Sequence, residues 1–527
     1  MAAVGADGPR PAIVLIGFMA AGKSAAAGAV AERLGLEAVD ADELIERELG
    51  EPIPAFFERE GEAEFRRREE ELVLSLLERG GTPAVIALGG GAVESERVAD
   101  ALGAHLPVWC RVDEETAWER ASRDGRRPLA ADRDEFARRF AAREPLYESL
   151  ARAILPADPR DAAREAAPWL AAMREAPGTR MIWAQSGSGS YPAVVGAGAL
   201  SLLDGVRSVA PDAVPARTFV VADREVLARH GALLPASASE PIEVEGSESS
   251  KTIAEAERVL VALAEAGARR DDLVLAFGGG VVGDLAGFSA ATYQRGVAVV
   301  QAPTTLVGQV DSAYGGKTGV DLPAAKNYVG AYHLPLAVLA DPGTLATLPR
   351  EELAAGFVEV VKTALIAGGP LWERVRALEE LDLDSLAGVA FECARTKIEV
   401  VAEDERDSGR RAVLNLGHTV GHAIEAASGY GRYRHGEAVG LGLLAALRLS
   451  GADGLRDEVA ALLAAHDLPT FLDEQVALEE VMGALARDKK ATARGLGFVL
   501  LERPGEPRWG QAVDPDRVRA AVQELYE

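Results

Sequence analysis

The chain has 527 residues, 48% hydrophobic and 26% charged, with a formal charge of −26 at pH 7 and two cysteines, Cys110 and Cys393. This composition predicts a soluble globular protein of roughly three to four domains. It argues against nucleic-acid and anionic-membrane partners, against a disulfide framework, and against a membrane span, which needs ~20 consecutive apolar residues. The expected compartment is the cytosol, and any phosphate site has to be locally basic.

One skew within the charge is informative. Of 56 basic residues only eight are lysines, at 23, 251, 317, 326, 362, 397, 489 and 490. In a chain drifting toward arginine, a surviving lysine marks a place where a compact ammonium serves and a planar guanidinium does not.

From Ile13 to Ile154, apolar runs such as "AIVLI" and "AVIAL" alternate with helical stretches such as "AAAGAVAERLG", which predicts an α/β domain with a parallel sheet over residues 1–172. "PADPRDAAREAAPWLAAMREAPGTR" reads as a terminal helix and a Pro-Gly break, with a linker at 173–180. A second α/β region, Rossmann-like, is expected over 181–345. Beyond it, residues 346–527 carry helical periodicity with few strand candidates and predict an α-helical domain.

The segment "IVLIGFMAAGKSAAAGAVAERLG" has Gly17, Gly22, Lys23 and Ser24 in G-x-x-x-x-G-K-S spacing between a strand and a helix. Backbone N–H groups of such a loop surround a phosphate at the positive end of the helix, Lys23 reaches the β/γ oxygens, and Ser24 ligates Mg²⁺. This fixes a nucleotide and leaves the reaction open.

The rest of the domain resembles shikimate kinase through "VDADELIE", "GEAEFRRRE", "ALGGGAV" and "REPLYES". The resemblance implies ATP and Mg²⁺ as the reagents. It assigns Asp40 to metal support, Asp42 to the acceptor hydroxyls, and Arg66, Arg143, Gly89, Gly90 and Gly91 to the ring and carboxylate of shikimate. "RDGRRPLA" is similar to the family's lid, with Arg127 near the transferred phosphate and Arg120 near adenine. Fork-shaped donors suit a small carboxylate-bearing polyol.

Further on, "DLVLAFGGGVVGDLAGFSAATYQRG" sets a glycine triplet after an apolar strand, without a clear G-x-G-x-x-G. "QAPTTLVGQVDSAYGGKTGVD", "AAKNYVGAYHLP", "TLATLPREELAAGFVEVVKTALI", "RTKIEVVAEDERDSGRRAVLNLGHTVGHAIE" and "YRHGE" follow in the order and spacing of 3-dehydroquinate synthase. The resemblance runs from about Met181 to Glu527. It implies NAD⁺ and a divalent metal, Zn²⁺ or Co²⁺, and a homodimer through this half. Toward the nucleotide it places Asp223, Glu248, Lys251, Gly279, Gly280, Asp284, Thr304, Thr305 and Lys326. Arg295, Lys317, Lys362, Lys397, His422 and Lys489 would bind and align phosphate, and Asp311, Asn327, Arg411 and Asn415 would hold the carboxylate or hydroxyls. Departures from the pattern, at Phe277, Ala313 and Tyr314, touch none of these.

Three of the chain's seven histidines fall between 418 and 435. By spacing alone His418 and His422 are either a ligand pair on one helical face or buried histidines satisfied by hydrogen bonds. The resemblance instead implies Glu359, His418 and His435 as the metal ligands and leaves His422 beside the substrate. It also implies the chemistry: conversion of 3-deoxy-D-arabino-heptulosonate 7-phosphate to 3-dehydroquinate and phosphate, in addition to phosphorylation of shikimate. Two other expectations stay open, that the second half is another sugar-phosphate cyclase or a metal- and NAD-dependent polyol dehydrogenase, and that one half is an inactive scaffold.

Overall fold

The computed structural model describes residues 11–78, 84–124, 132–323, 325–487, 491–492 and 495–526. The chain divides into two compact units, Met1–Trp183 with Pro192–Val194 and Ser201–Ala216, and Ala184–Tyr191 with Val195–Leu200 and Arg217–Glu527.

The first unit is built on a parallel sheet of β1 (Ile13–Ile16), β2 (Glu37–Asp40), β3 (Ala84–Ala87), β4 (Leu106–Cys110) and β5 (Ala153–Leu155), in the order β2-β3-β1-β4-β5. All four residues of β1, "IVLI", are buried, as the centre of a sheet covered on both faces requires. The loop after β1 leads into the helix Lys23–Leu34, so the first turn of that helix opens at the carboxyl end of the sheet, where α/β proteins bind their ligands. Positive φ angles at Ala20 (62°) and Gly22 (84°) curl the loop back on itself. Strands β6 (Thr179–Ser186) and β7 (Gly189–Gly196) are shared between the two units.

The second unit has its own parallel set, β8 (Thr218–Asp223), β9 (Ile242–Val244), β10 (Leu273–Gly278), β11 (Ala298–Pro303) and, after the hairpin β12 (Lys317–Leu322) and β13 (Ala325–Tyr332), β14 (Ala337–Ala340). Their order is β14-β11-β10-β8-β9. The helices Ile253–Glu265 and Gly280–Thr292 bury Val259, Leu263, Val282 and Leu285 against Phe219, Val221 and Val274 of the sheet.

Helices dominate from Arg350 onward. Arg350–Ala367 begins after Pro349, carries Glu351 and Glu352 in its first turn, and ends at Gly368 with φ 66°. It is buried on every side from Ala354 to Ile366. Such a helix carries an interior polar residue only where that residue is paired or functional. The expectation of an all-helical region needs one addition: β15 (Ala491–Thr492), β16 (Gly495–Leu501) and β17 (Pro507–Ala512) form a three-stranded antiparallel sheet. The short apolar run "GLGFVLL" is too brief for periodicity to tell strand from helix.

Candidate active sites

In the first unit, Lys23 curls over its own loop and donates to the carbonyls of Gly17 (2.9 Å) and Phe18 (3.0 Å), so its ammonium sits where a phosphate chain would lie. Ser24 Oγ donates to Asp40 Oδ2 at 2.5 Å. Asp40 also caps the helix Ala41–Leu49, accepting from the backbone N–H groups of Asp42 and Glu43. A hydroxyl and a carboxylate held together beside a lysine suit Mg²⁺ and phosphate.

In the loop Gly89–Gly91, Gly89 and Gly91 are packed against side chains and Gly90 against the backbone of Gly17–Met19. A Cβ on Gly89 would stand 2.7 Å from Asp42 Oδ1, and one on Gly91 would stand 2.3 Å from the Arg66 guanidinium. Gly90 offers its carbonyl to the Tyr147 hydroxyl at 2.5 Å. Arg143, only 2% exposed, donates from Nη2 to Glu94 (2.7 Å), while its buried Nε has no hydrogen-bond partner among the described residues. Arg66 pairs with Glu69, whose carboxyl burial pushes upward. Arg120 donates to the Ala157 carbonyl (2.8 Å). Arg127 lies outside the described residues. Glu69 and Tyr147 went unread in the sequence, although each follows a named arginine, Arg66 by three residues and Arg143 by four, on the same helical face.

The second unit places Gly279 as the cap of the helix Gly280–Thr292, directly after β10. Glycine is needed for close approach: a Cβ on Gly279 would lie 2.8 Å from Thr305 Cγ2, and one on Gly280 3.0 Å from Ser312 Oγ. Thr304 Oγ1 is buried without a hydrogen-bond partner among the described residues, and Thr305 Oγ1 accepts from Gly308 N–H (3.2 Å). Nearby, buried Lys251 reaches Asn327 Oδ1 (2.7 Å), Asp284 Oδ2 (3.2 Å) and Glu248 Oε1 (3.4 Å). Burial raises the Asp284 carboxyl to about 6 against the pull of Lys251. Asp223 caps the helix Arg224–His230.

A larger cavity, of about 600 Å³, collects most of the remaining predicted residues. Its lining includes Asp311, Lys317, Asn327, Lys362, Lys397, Arg411, Asn415, His418, His422 and His435. Lys362 and Lys397 both reach Asp311 Oδ1, at 3.4 and 2.8 Å. Burial is opposed there by the two ammonium groups, which hold the Asp311 carboxyl below its usual range. Burial lowers Lys397 to about 8, with Asp311 opposing and Lys362 and Arg411 adding to the shift. Lys317 pairs with Asp407 at 2.6 Å, a carboxylate that went unread within the quoted "AEDERDSGRR". Arg411 is anchored on the carbonyls of Glu405 and Gly315. Asn415 Nδ2 donates to the Ala412 carbonyl (3.2 Å). Arg295 is exposed, at φ 69°, outside this lining, and Lys489 lies outside the described residues.

Behind two of the lining imidazoles, Glu359 faces His418 and His435. His418 Nε2 and His435 Nε2 each lie 3.5 Å from Glu359 Oε1. The three elements meet because glycines let their backbones touch. A Cβ on Gly436 would be 1.8 Å from the Ala355 carbonyl, and one on Gly442 would be 2.0 Å from that of Gly417. Both Glu359 oxygens are buried without a hydrogen bond of normal geometry among the described residues, although the Lys362 ammonium lies against Oε2. Burial disfavours the Glu359 anion, but Lys362 and the histidines hold its carboxyl well below the usual range. Burial holds His418 well below its ordinary value, in the neutral form a ligand needs. His435 is carried up to about 10, the neighbouring carboxylates of Glu359 and Glu425 overcoming burial. His422 is the third imidazole of the cluster, with ligand atoms of all three histidines within 4.8 Å of one another. A buried anion without normal hydrogen bonds, shared by two imidazole nitrogens, fits a small divalent cation.

A phosphate-binding loop with an acceptor pocket in one unit, and a glycine turn, convergent cations and a Glu–His–His cluster in the other, define a polypeptide with two enzyme sites. The comparisons agree. Residues 241–355 match the family model of the 3-dehydroquinate synthase N-terminal domain, residues 356–491 that of its C-terminal domain, and residues 19–174 that of shikimate kinase. The chain is 42% identical over 359 residues to a 3-dehydroquinate synthase of Symbiobacterium thermophilum, covering 64% of this chain and 99% of that protein. It is 43% identical over 341 residues to that of Halorhodospira halophila, covering 62% and 94%. A structure of 2-epi-5-epi-valiolone synthase from Streptomyces hygroscopicus with NAD⁺ and Zn²⁺ bound matches at a TM-score of 0.55 and 27% identity, over 60% of this chain and 92% of that one. The chain belongs to the 3-dehydroquinate synthase family and carries a shikimate kinase domain on the same polypeptide.

Proposed function

We propose that residues 1–172 phosphorylate shikimate with ATP and Mg²⁺, and that residues 181–345 and 346–527 together convert 3-deoxy-D-arabino-heptulosonate 7-phosphate to 3-dehydroquinate and phosphate with NAD⁺ and Zn²⁺ or Co²⁺. The observation that carries the reading is the cavity lined by His418 and His435 together with Lys362 and Lys397, with Glu359 3.5 Å behind both imidazoles.

In the kinase reaction Lys23 stabilises charge on the transferred phosphoryl group, Ser24 and Asp40 hold Mg²⁺, and Asp42 aligns the attacking hydroxyl. Arg66 and the unpartnered Nε of Arg143 take the carboxylate and ring hydroxyls. Arg120 and Arg127 are read as adenine and phosphate contacts.

In the synthase reaction Glu359, His418 and His435 would hold the metal, and the nucleotide would lie along Gly279, Gly280, Thr304, Lys251 and Asp284, with Asp223, Glu248, Thr305 and Lys326 nearby. The bound metal and nicotinamide supply polarisation of a substrate hydroxyl and reversible hydride uptake. Lys317, Lys362 and Lys397 grip the phosphate, with Arg295 and Lys489 assigned to the same task. Arg411, Asn415, Asn327 and Asp311 orient the rest of the substrate. His422 is assigned with the lysines to the phosphate, which would take the proton once the neighbouring C–H is acidified and leave by β-elimination before the ring closes by an intramolecular aldol step. Convergent fixed charges keep one substrate in place through these steps.

A cytosolic homodimer of the synthase half is the assembly we propose. Among the described residues no helix is long and apolar enough to cross a membrane. Product analysis tests the whole reading: heptulosonate phosphate with NAD⁺ and Zn²⁺ yields 3-dehydroquinate and phosphate, and shikimate with ATP yields shikimate 3-phosphate. Net NADH formation without phosphate release would instead make the second half a polyol dehydrogenase.

A further inference from the structure

We infer that Glu425, through its contact with His435, is a positioning residue for the metal centre, an inference that rests on the reading of Glu359, His418 and His435 as ligands. Glu425 is 4% exposed on the helix His418–Ala427, seven residues and so two turns beyond His418. Its two oxygens are divided between two partners. Oε2 lies 3.3 Å from His435 Nδ1, and Oε1 lies 3.6 Å from Lys326 Nζ. Lys326 is in turn 3.5 Å from Glu248 and stacked 4.6 Å over the Tyr430 ring.

The His435 ring is therefore held between two carboxylates, with Glu425 at Nδ1 and Glu359 at Nε2. A carboxylate that accepts from Nδ1–H fixes the tautomer whose Nε2 lone pair faces an ion. His418 gets the same orientation by another means, its Nδ1 lying 3.2 Å from the Leu416 carbonyl. The difference follows from place. Both rings open a helix, but the His418 side chain is 11% exposed, whereas that of His435 is 41% exposed and, among the described residues, meets no backbone carbonyl at Nδ1. Glu425 supplies the missing anchor, and Lys326 neutralises the buried anion that does so.

The test is Co²⁺ binding to metal-stripped full-length protein, read by competition with a chromophoric chelator and by the visible spectrum of the bound ion. Glu425→Ala lowers affinity on the order of 100-fold and shifts the spectrum, while isosteric Glu425→Gln, whose amide oxygen still accepts from Nδ1–H, lowers it roughly 10-fold. Unfolding of the metal-free proteins is followed in parallel. A merely structural Glu425 lowers the melting temperature of the metal-free variants but leaves Co²⁺ affinity and spectrum at parental values, and that result overturns the inference even if only the Gln variant folds. A parent protein that binds no Co²⁺ would overturn the metal-centre reading itself.

Discussion

Glu359 and Lys362 stand one helical turn apart with their charged ends in contact, each 1% exposed, inside a helix buried on every side from Ala354 to Ile366. Two buried charges in such a place are sustained only by each other and by the groups facing them, here Asp311 and two histidines. Removing one partner of a buried pair costs about 3–5 kcal/mol. Lys362→Met is therefore expected to lower the melting temperature of the metal-free protein, and a divalent ion, supplying the lost positive charge, should recover more stability in the variant than in the parent. Calorimetric scans with and without Zn²⁺ measure both. Equal metal-induced gains would contradict the pairing.

Two sites on one chain should fail separately. Lys23→Ala is expected to lower shikimate phosphorylation at least 100-fold and leave phosphate release from the heptulosonate ester unchanged. Glu359→Gln should do the reverse. Coupled assays on one preparation of each variant decide, and a variant that loses both activities while remaining folded would count against independent chemistry.

Gly91→Ala probes the acceptor pocket of the kinase. The φ of Gly91 is −96°, which alanine adopts without strain, so the effect comes from the added Cβ against the Arg66 guanidinium at 2.3 Å. The far end of Arg66 has to move. The KM for shikimate should rise roughly 10-fold or more, as loss of a charge-assisted contact implies, with the KM for ATP little changed. A tenfold loss of ATP affinity would place Gly91 elsewhere.

Lys397 is expected to give the synthase reaction a pH dependence. Burial brings its amine down to about 8, so the ammonium is present below that pH and disappears above it. Under the proposed function the substrate phosphate needs the charged form. Since kcat/KM reports groups of the free enzyme, it should fall as pH rises through about 8, and Lys397→Arg, which does not titrate there, should flatten that limb whatever its absolute rate. An unchanged limb would assign it to another group.

Much of this was legible in the sequence because the informative residues were scarce ones. Lysine is rare in the chain, and Lys251, Lys317, Lys362 and Lys397 all emerge in ion pairs of the second unit. The phosphate loop was legible because its spacing is a local geometric demand on backbone. Spacing could not choose between His422 and His435, since ligands brought together from separate helices obey no short-range period. Glu359, 59 positions before His418, was reachable only through resemblance. Glu69, Asp407 and Glu425 were overlooked for a related reason: a carboxylate that serves another side chain looks, in sequence, like any solvated one. Only burial distinguishes Glu69 and Glu425 from the rest.

The central claim is that Glu359, His418 and His435 form one divalent-metal centre on which the synthase depends. Titrating metal-stripped protein with Zn²⁺ while following phosphate release from the heptulosonate ester tests it most directly. Activity should rise from near zero to a plateau at one ion per chain, and neither Glu359→Gln nor His435→Ala should reach that plateau at the same ion concentration. Full turnover by metal-free protein in the presence of a strong chelator, or an unaltered titration in both variants, would contradict the account.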